Sequence, residues 1–421
     1  MRPPLDLLYK SGFAMRMFSQ KVVLALILIF ALGGLAQAKK YKPINEIPKQ
    51  VPETDEERGV WNIGIAHQNK VRGTDGLVNN SDLEEYLEGV VAHLMGEMVG
   101  DIGLEVDVLV FKDTTVNAWV YPNGTVAVQT GLLAAMQNEA QLAAILGHEV
   151  AHFLNRHAFI QIKAKQKQSV IGKGLGVLAT AAVAAKTGSL NSGLLNSGQV
   201  WTDLVTSGYS RKLETVADLQ GLQLMTTAGY PPGQALPAFE AMRINDDDQV
   251  NVAKMWSSHP DIDKRKKNLS KQIKKNKAIS NARGLDKKKY MSEVRLALLS
   301  NSQLEVERRL YDSAIESLKS FTVNIPEDAR GHYLLGEVLR KQKPESNYDA
   351  RISAYQSAIA SNSNFAEPYR ELGMAYRQQG KQQQAHEAFS QYLKLAPTAP
   401  DTPIINWYRD NLSSAIPAGK E

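Results

Sequence analysis

The stretch Leu142-Ala143-Ala144-Ile145-Leu146-Gly147-His148-Glu149-Val150-Ala151-His152-Phe153-Leu154 is apolar, nearly free of helix breakers, and interrupted by three ionisable side chains. Asn138, with Gln141 three residues later, supplies a helix start with a capping-box partner. On a helix, positions i and i+4 share one face, so His148 and His152 point the same way. Two imidazoles so placed can bind one zinc ion and leave room for a third ligand and a water. Glu149, one residue off that face, suits a general base that reaches the water rather than the metal. Two histidines and a glutamate in an apolar helix are costly without such partners.

Working outward, residues 82–99 carry apolar side chains at helical spacing. Residues 104–111 alternate and are β-branched, as a strand would be. Residues 116–121 and 125–129 flank Pro122-Asn123-Gly124, a hairpin signal. A peptide lying along an edge strand is expected at residues 125–130. Beyond the motif, residues 170–185 read as a small-residue helix and 187–198 as a mobile Gly/Ser/Asn-rich loop. The motif does not extend to a third histidine, since Ala158 stands six residues after His152. His157, five after, turns away from the shared face and reads as a supporting or surface residue. A second helix opens at Tyr209-Ser210-Arg211, with Glu214 and Asp218 at i and i+4. One of the two can bind metal while the other supports a ligand histidine; spacing alone leaves an ordinary solvated role for Glu214 equally open. Arg211 could orient a carboxylate or bind substrate. His259, directly before Pro260, falls in an extended or turn segment from which it could reach over the metal.

The last third is repetitive. Tyr369, Leu372, Gly373, Tyr376, Ala385, Phe389 and Pro397 fit the 34-residue tetratricopeptide pattern, with degraded copies upstream at Tyr333–Ala358 and Ala314–Pro326. Small residues at Gly373 and Ala385 let paired helices approach closely, and such stacks bind peptides or proteins on their concave face. Residues 264–290 are strongly basic and read as a solvated helix and linker, with contact to anionic lipid the rival reading.

The 421 residues are 43% hydrophobic and 22% charged, which fits a folded chain of two or three domains. Residues 1–38 run basic, apolar and then Ala36-Gln37-Ala38, the order of a secretory signal peptide. Without them the formal charge falls from +5 to +2, which asks for no nucleic-acid partner. The absence of cysteine excludes a disulfide scaffold, a thiolate-bound metal and a cysteine nucleophile.

The ordered set His148–His152, His157, Ser210-Arg211-x-x-Glu214-x-x-Ala217-Asp218 and Ser258-His259-Pro260 resembles the zinc metallopeptidases related to the HtpX and CAAX-prenyl proteases. Asn117-Ala118-Trp119 and Thr130-Gly131-Leu132-Leu133 resemble it too, so the likeness covers roughly residues 83–265. Val216 stands where the family usually has a second acid. The arrangement of signal peptide, protease and repeats is similar to the BepA-type periplasmic proteins. The resemblance implies an α+β fold: a mainly helical, gluzincin-type protease domain with a small β-sheet, then an all-α tetratricopeptide domain. It also implies one Zn2+ per chain on His148, His152 and Glu214, with Asp218 supporting; Arg211 stays open between orienting a carboxylate beside the ligands and binding substrate. Glu149 is then the base, and His259 a catalytic residue that stabilises the oxyanion or keeps the enzyme latent, with Arg265 a weaker candidate for the same neighbourhood. The expected division is signal peptide 1–38, N-terminal arm 39–80, protease 81–270, basic linker 271–295 and repeats 296–410. The expected function is a periplasmic endopeptidase for misfolded proteins, with outer-membrane proteins or their assembly machinery as partners through the repeats and peripheral membrane contact open. A non-proteolytic chaperone or adaptor with a structural or latent zinc site is the alternative.

Overall fold

The computed structural model describes residues 51–96, 98, 106–169, 208–242, 262–275 and 282–413. The expected signal peptide, the 170–185 helix, the 187–198 loop and His259 lie outside them. The first described helix, α1 (Asp55–Arg72), lies within the expected N-terminal arm 39–80. Its signal is Thr54, whose hydroxyl accepts the Glu57 amide at 3.2 Å, with three acids in the first turn. Next come α2 (Ser81–Met95), β1 (Val108–Phe111), β2 (Ala118–Val120), β3 (Val126–Gln129) and the short α3 (Thr130–Ala135).

The sheet order is β1-β3-β2, with β1 parallel and β2 antiparallel to β3. The expected hairpin forms at Pro122-Asn123-Gly124, where Gly124 has φ +95°. Period-two alternation gives the sheet two apolar faces. Val108, Val110, Ala118, Val120, Val126 and Val128 enter the main core. Leu109, Tyr121 and Ala127 join Leu77 on the other face, where α1 reaches the hairpin: His67 meets the Tyr121 hydroxyl at 2.9 Å and Gln68 bonds Asn123.

The motif helix α4 (Glu139–Leu154) is buried along almost its whole length. Asn138 caps it by accepting the Gln141 amide at 3.0 Å. After it come α5 (His157–Ser169), α6 (Arg211–Thr227), α7 (Ala235–Ala241) and α8 (Ile262–Ile273). Helices α4 and α6 touch backbone to backbone. A Cβ added at Gly221 would lie 2.8 Å from the His148 nitrogen, and one at Gly147 3.1 Å from the Gly221 oxygen.

Residues 271–295, read from sequence as a linker, contain α9 (Lys287–Glu293) and are partly core. Tyr290, Met291 and Val294 are buried, and the Tyr290 hydroxyl donates to the Leu133 carbonyl at 2.7 Å. Then follow α10 (Arg295–Glu307), α11 (Tyr311–Asn324), α12 (Ala329–Gln342), α13 (Tyr348–Ser361), α14 (Ala366–Gln378), α15 (Gln382–Leu395) and α16 (Thr402–Ser413). One core runs unbroken from Val78 through α4 to Leu339. A second lies in the last repeats, from Ile352 to Leu412. The repeat logic recurs: a Cβ at Gly336 would strike the Tyr355 ring at 2.3 Å, and one at Gly373 the Phe389 ring at 2.6 Å. A mainly helical fold with a small sheet, followed by helical repeats, is the expected architecture.

Candidate metal centre

His148 and His152 project from α4 toward Glu214 on α6, and all three are nearly solvent-free. Their donor atoms lie within 4.8 Å of one another. The two Nε2 atoms are 3.0 Å apart. Glu214 approaches His148 through Oε2 and His152 through Oε1, each at 3.5 Å. Tetrahedral zinc, with bonds of about 2.0–2.1 Å, sets its donors about 3.3 Å apart. The three separations bracket that value, so the donor set fits the ion.

The outer nitrogens decide what faces inward. His148 Nδ1 is 3.1 Å from Asp218 Oδ1. Burial works to raise the Asp218 pKa, but the Arg265 guanidinium and the hydrogen bond from His148 hold it at about 2. An ionised carboxylate only accepts, so Nδ1 of His148 carries the proton and Nε2 turns its lone pair to the centre. His152 Nδ1 lies 3.0 Å from Nδ1 of His157. His157 is itself buried, and that burial pushes its pKa down to about 3, so its ring is neutral. A neutral His157 can accept from His152 Nδ1, and in that tautomer His152 would also present Nε2 to the centre. The Tyr209 ring stacks on His152 at 3.9 Å.

Arg265, from α8, grips both acids. It bonds Asp218 through Nε at 2.9 Å and Nη2 at 2.6 Å, and reaches Glu214 through Nη1 at 3.0 Å. Its guanidinium lies over Phe239 at 4.9 Å. Arg211 is exposed in the first turn of α6, so the guanidinium on the two acids is Arg265's. Sequence reasoning gave Arg265 little weight because nothing local to α8 marks it. Glu149 is buried beside this cluster, and after burial its charge and that of Glu214 hold the Tyr209 hydroxyl protonated.

Two helices crossed beside a small sheet, one with H-E-x-x-H and the other with a glutamate, make a gluzincin-type metallopeptidase fold. Residues 80–273 match the model of Peptidase family M48 and residues 366–399 that of the tetratricopeptide repeat. The chain thus carries an M48 peptidase domain followed by a tetratricopeptide repeat. The mitochondrial metalloendopeptidase OMA1 of Schizosaccharomyces pombe is 36% identical over 156 residues, 37% of this chain and 43% of that protein. A putative beta-barrel assembly-enhancing protease of Vibrio cholerae is 28% identical over 182 residues, 42% of this chain and 36% of that protein. The metalloprotease YcaL of Escherichia coli is 26% identical over 183 residues, 44% and 67% respectively. The chain spans less than half the length of the first two.

Proposed function

We propose that this chain is a zinc-dependent endopeptidase, with His148, His152 and Glu214 as the metal ligands. The observation that carries this reading is the buried triangle of inward-facing donors beside Glu149. Zinc held there would supply Lewis-acid chemistry that lowers the pKa of water from about 15.7 toward about 7. Glu149 takes the proton of the attacking water and returns it to the leaving amine. Asp218 and His157 keep the ligand imidazoles in register, and Arg265 neutralises the acids. For substrate, the expected edge at residues 125–130 needs correction, because β3 is the central strand. The Gln129 amide donates to the Asn117 carbonyl at 3.0 Å and the Tyr121 amide to the Thr125 carbonyl at 2.8 Å, with Trp119 paired to Ala127 between them, so the amides of Ala118 and Val120 point away from β3. Among the described residues no further strand pairs with β2, and such an edge suits an extended peptide. His259 keeps its place in the proposal as an oxyanion stabiliser or a latency device, and Arg211 as a substrate contact.

The repeats suggest protein clients, and the relatives named for β-barrel assembly suggest misassembled outer-membrane proteins in the periplasm, reached through the signal peptide at 1–38. Among the described residues no helix is long and apolar enough to cross a membrane. The alternative, a non-proteolytic adaptor, draws on the groove of about 730 Å³ lined by Tyr369, Leu372 and Tyr376. One experiment separates the two. Purified wild type should hold about one zinc per chain and cleave an unfolded outer-membrane protein. Glu149→Gln should keep the zinc and the client binding but lose cleavage. Undiminished cleavage by Glu149→Gln rejects the proposed base, and no cleavage by wild type favours the adaptor.

A further inference from the structure

We infer that α1, through Glu57, is a positioning element for the metal ligand His152. Glu57 lies outside the residues that match the peptidase family, yet it is 1% exposed and its Oε2 meets Arg156 Nη1 at 2.8 Å. Glu53 completes the clamp. Its amide donates to Glu57 Oε2 at 2.8 Å, and its carboxylate reaches Arg156 at 3.2 Å. A second tie from α1 runs from Glu56 to Lys163 on α5 at 3.6 Å.

Arg156 is where α4 turns into α5. It has φ +53°, a left-handed conformation that a non-glycine residue adopts only when its surroundings hold it. The backbone closes the turn, with the Arg156 amide donating to the Phe153 carbonyl at 2.8 Å. The buried ion pair fixes the side chain of the same residue. The next residue is His157, and this turn delivers its Nδ1 to Nδ1 of His152. The path is therefore Glu57 to Arg156, the turn to His157, and His157 to His152. Neutralising Glu57 leaves a buried guanidinium with only the half-exposed Glu53, and the turn that aims His157 is released.

This inference rests on the zinc reading, and the full-length chain tests both. The measurements are the zinc dissociation constant by competition with a chromophoric chelator, the absorption spectrum of the Co2+-substituted protein, and the melting temperature of the metal-free protein. A direct partner of a ligand typically changes affinity about 10–100-fold. One step further out, Glu57→Gln should weaken zinc about 3- to 10-fold and shift the Co2+ spectrum. Ile63→Ala, on the apolar face of the same helix and 1% exposed, should lower the melting temperature with affinity and spectrum unchanged. If Glu57→Gln leaves affinity and spectrum at wild-type values, or Ile63→Ala changes them equally, Glu57 serves only the fold and the inference fails. Should Glu57→Gln not fold, Glu57→Asp, which keeps the charge and shortens the reach, carries the same comparison. A wild type that takes up no zinc, like His148→Ala, overturns the metal reading and this inference with it.

Discussion

Arg265 illustrates how two buried acids are balanced by one cation. Glu214 and Asp218 are buried carboxylates about one turn apart on α6, and Arg265 gives each a hydrogen-bonded cation. Removing one partner of a buried ion pair costs about 3–5 kcal/mol. Arg265→Gln should therefore lower the melting temperature of the metal-free protein far more than that of the zinc-loaded protein, where a dication shares the same charge. Scanning calorimetry with and without a chelator checks this. Equal losses in both states would show that Arg265 does not balance the acids. The pair Glu214 and Asp218 was visible in the sequence as i and i+4, but Arg265 only as a weaker candidate near the site, not as their cation. Arg265 comes from a basic helix 47 residues beyond Asp218, and nothing local to it distinguishes Arg265 from its basic neighbours.

At the scale of elements, the crossing of α4 and α6 sets the triangle. Gly147 and Gly221 let the two backbones touch, which brings Glu214 within reach of both histidines. Gly221→Ala would force a methyl against the His148 backbone, and such overpacking costs typically about 1–3 kcal/mol. Zinc affinity should fall with stability, because the displaced backbone is that of a ligand. Gly89 on α2 is the control, with nothing within 4 Å of an added Cβ. Gly89→Ala should raise stability by up to about 1 kcal/mol through helix propensity and leave zinc binding alone. Denaturant melts and zinc titration of the two variants measure both quantities. Equal behaviour would mean that the glycine contact is slack. The sequence marks both helices through their caps, Asn138 and Ser210, but a glycine in a helix does not announce its partner.

For the whole molecule, the peptidase region and the start of the repeats share one core. Asn301 is 1% exposed and accepts a hydrogen bond from the Thr130 hydroxyl at 3.2 Å, while Leu298, Leu318 and Phe321 pack in the cluster that holds α4. A cut at residue 301, near the start of the expected repeat region, should give insoluble or unfolded protein. Deleting residues 363–421 instead removes α14–α16 and leaves the main core covered. That protein should stay folded, bind zinc and cleave a short peptide, but lose activity on a whole-protein client. Circular dichroism, zinc content and parallel assays on the two substrates test it. A folded, active product of the 301 cut would contradict the shared core.

What the sequence determined by itself is what short-range geometry encodes. The two-histidine face, the helix starts, the Asn-Gly hairpin and the small-against-large rhythm of the repeats each depend on residues within one repeat of each other. The tertiary structure decided which strand lies at the edge, which arginine meets the acids, and that an arm is a helix clamped to the metal helix. It also made a supposed linker part of the core. Those outcomes rest on partners such as Glu57 and Arg156, 99 residues apart. A buried charge must find its partner wherever folding places one, and no local periodicity records where that is.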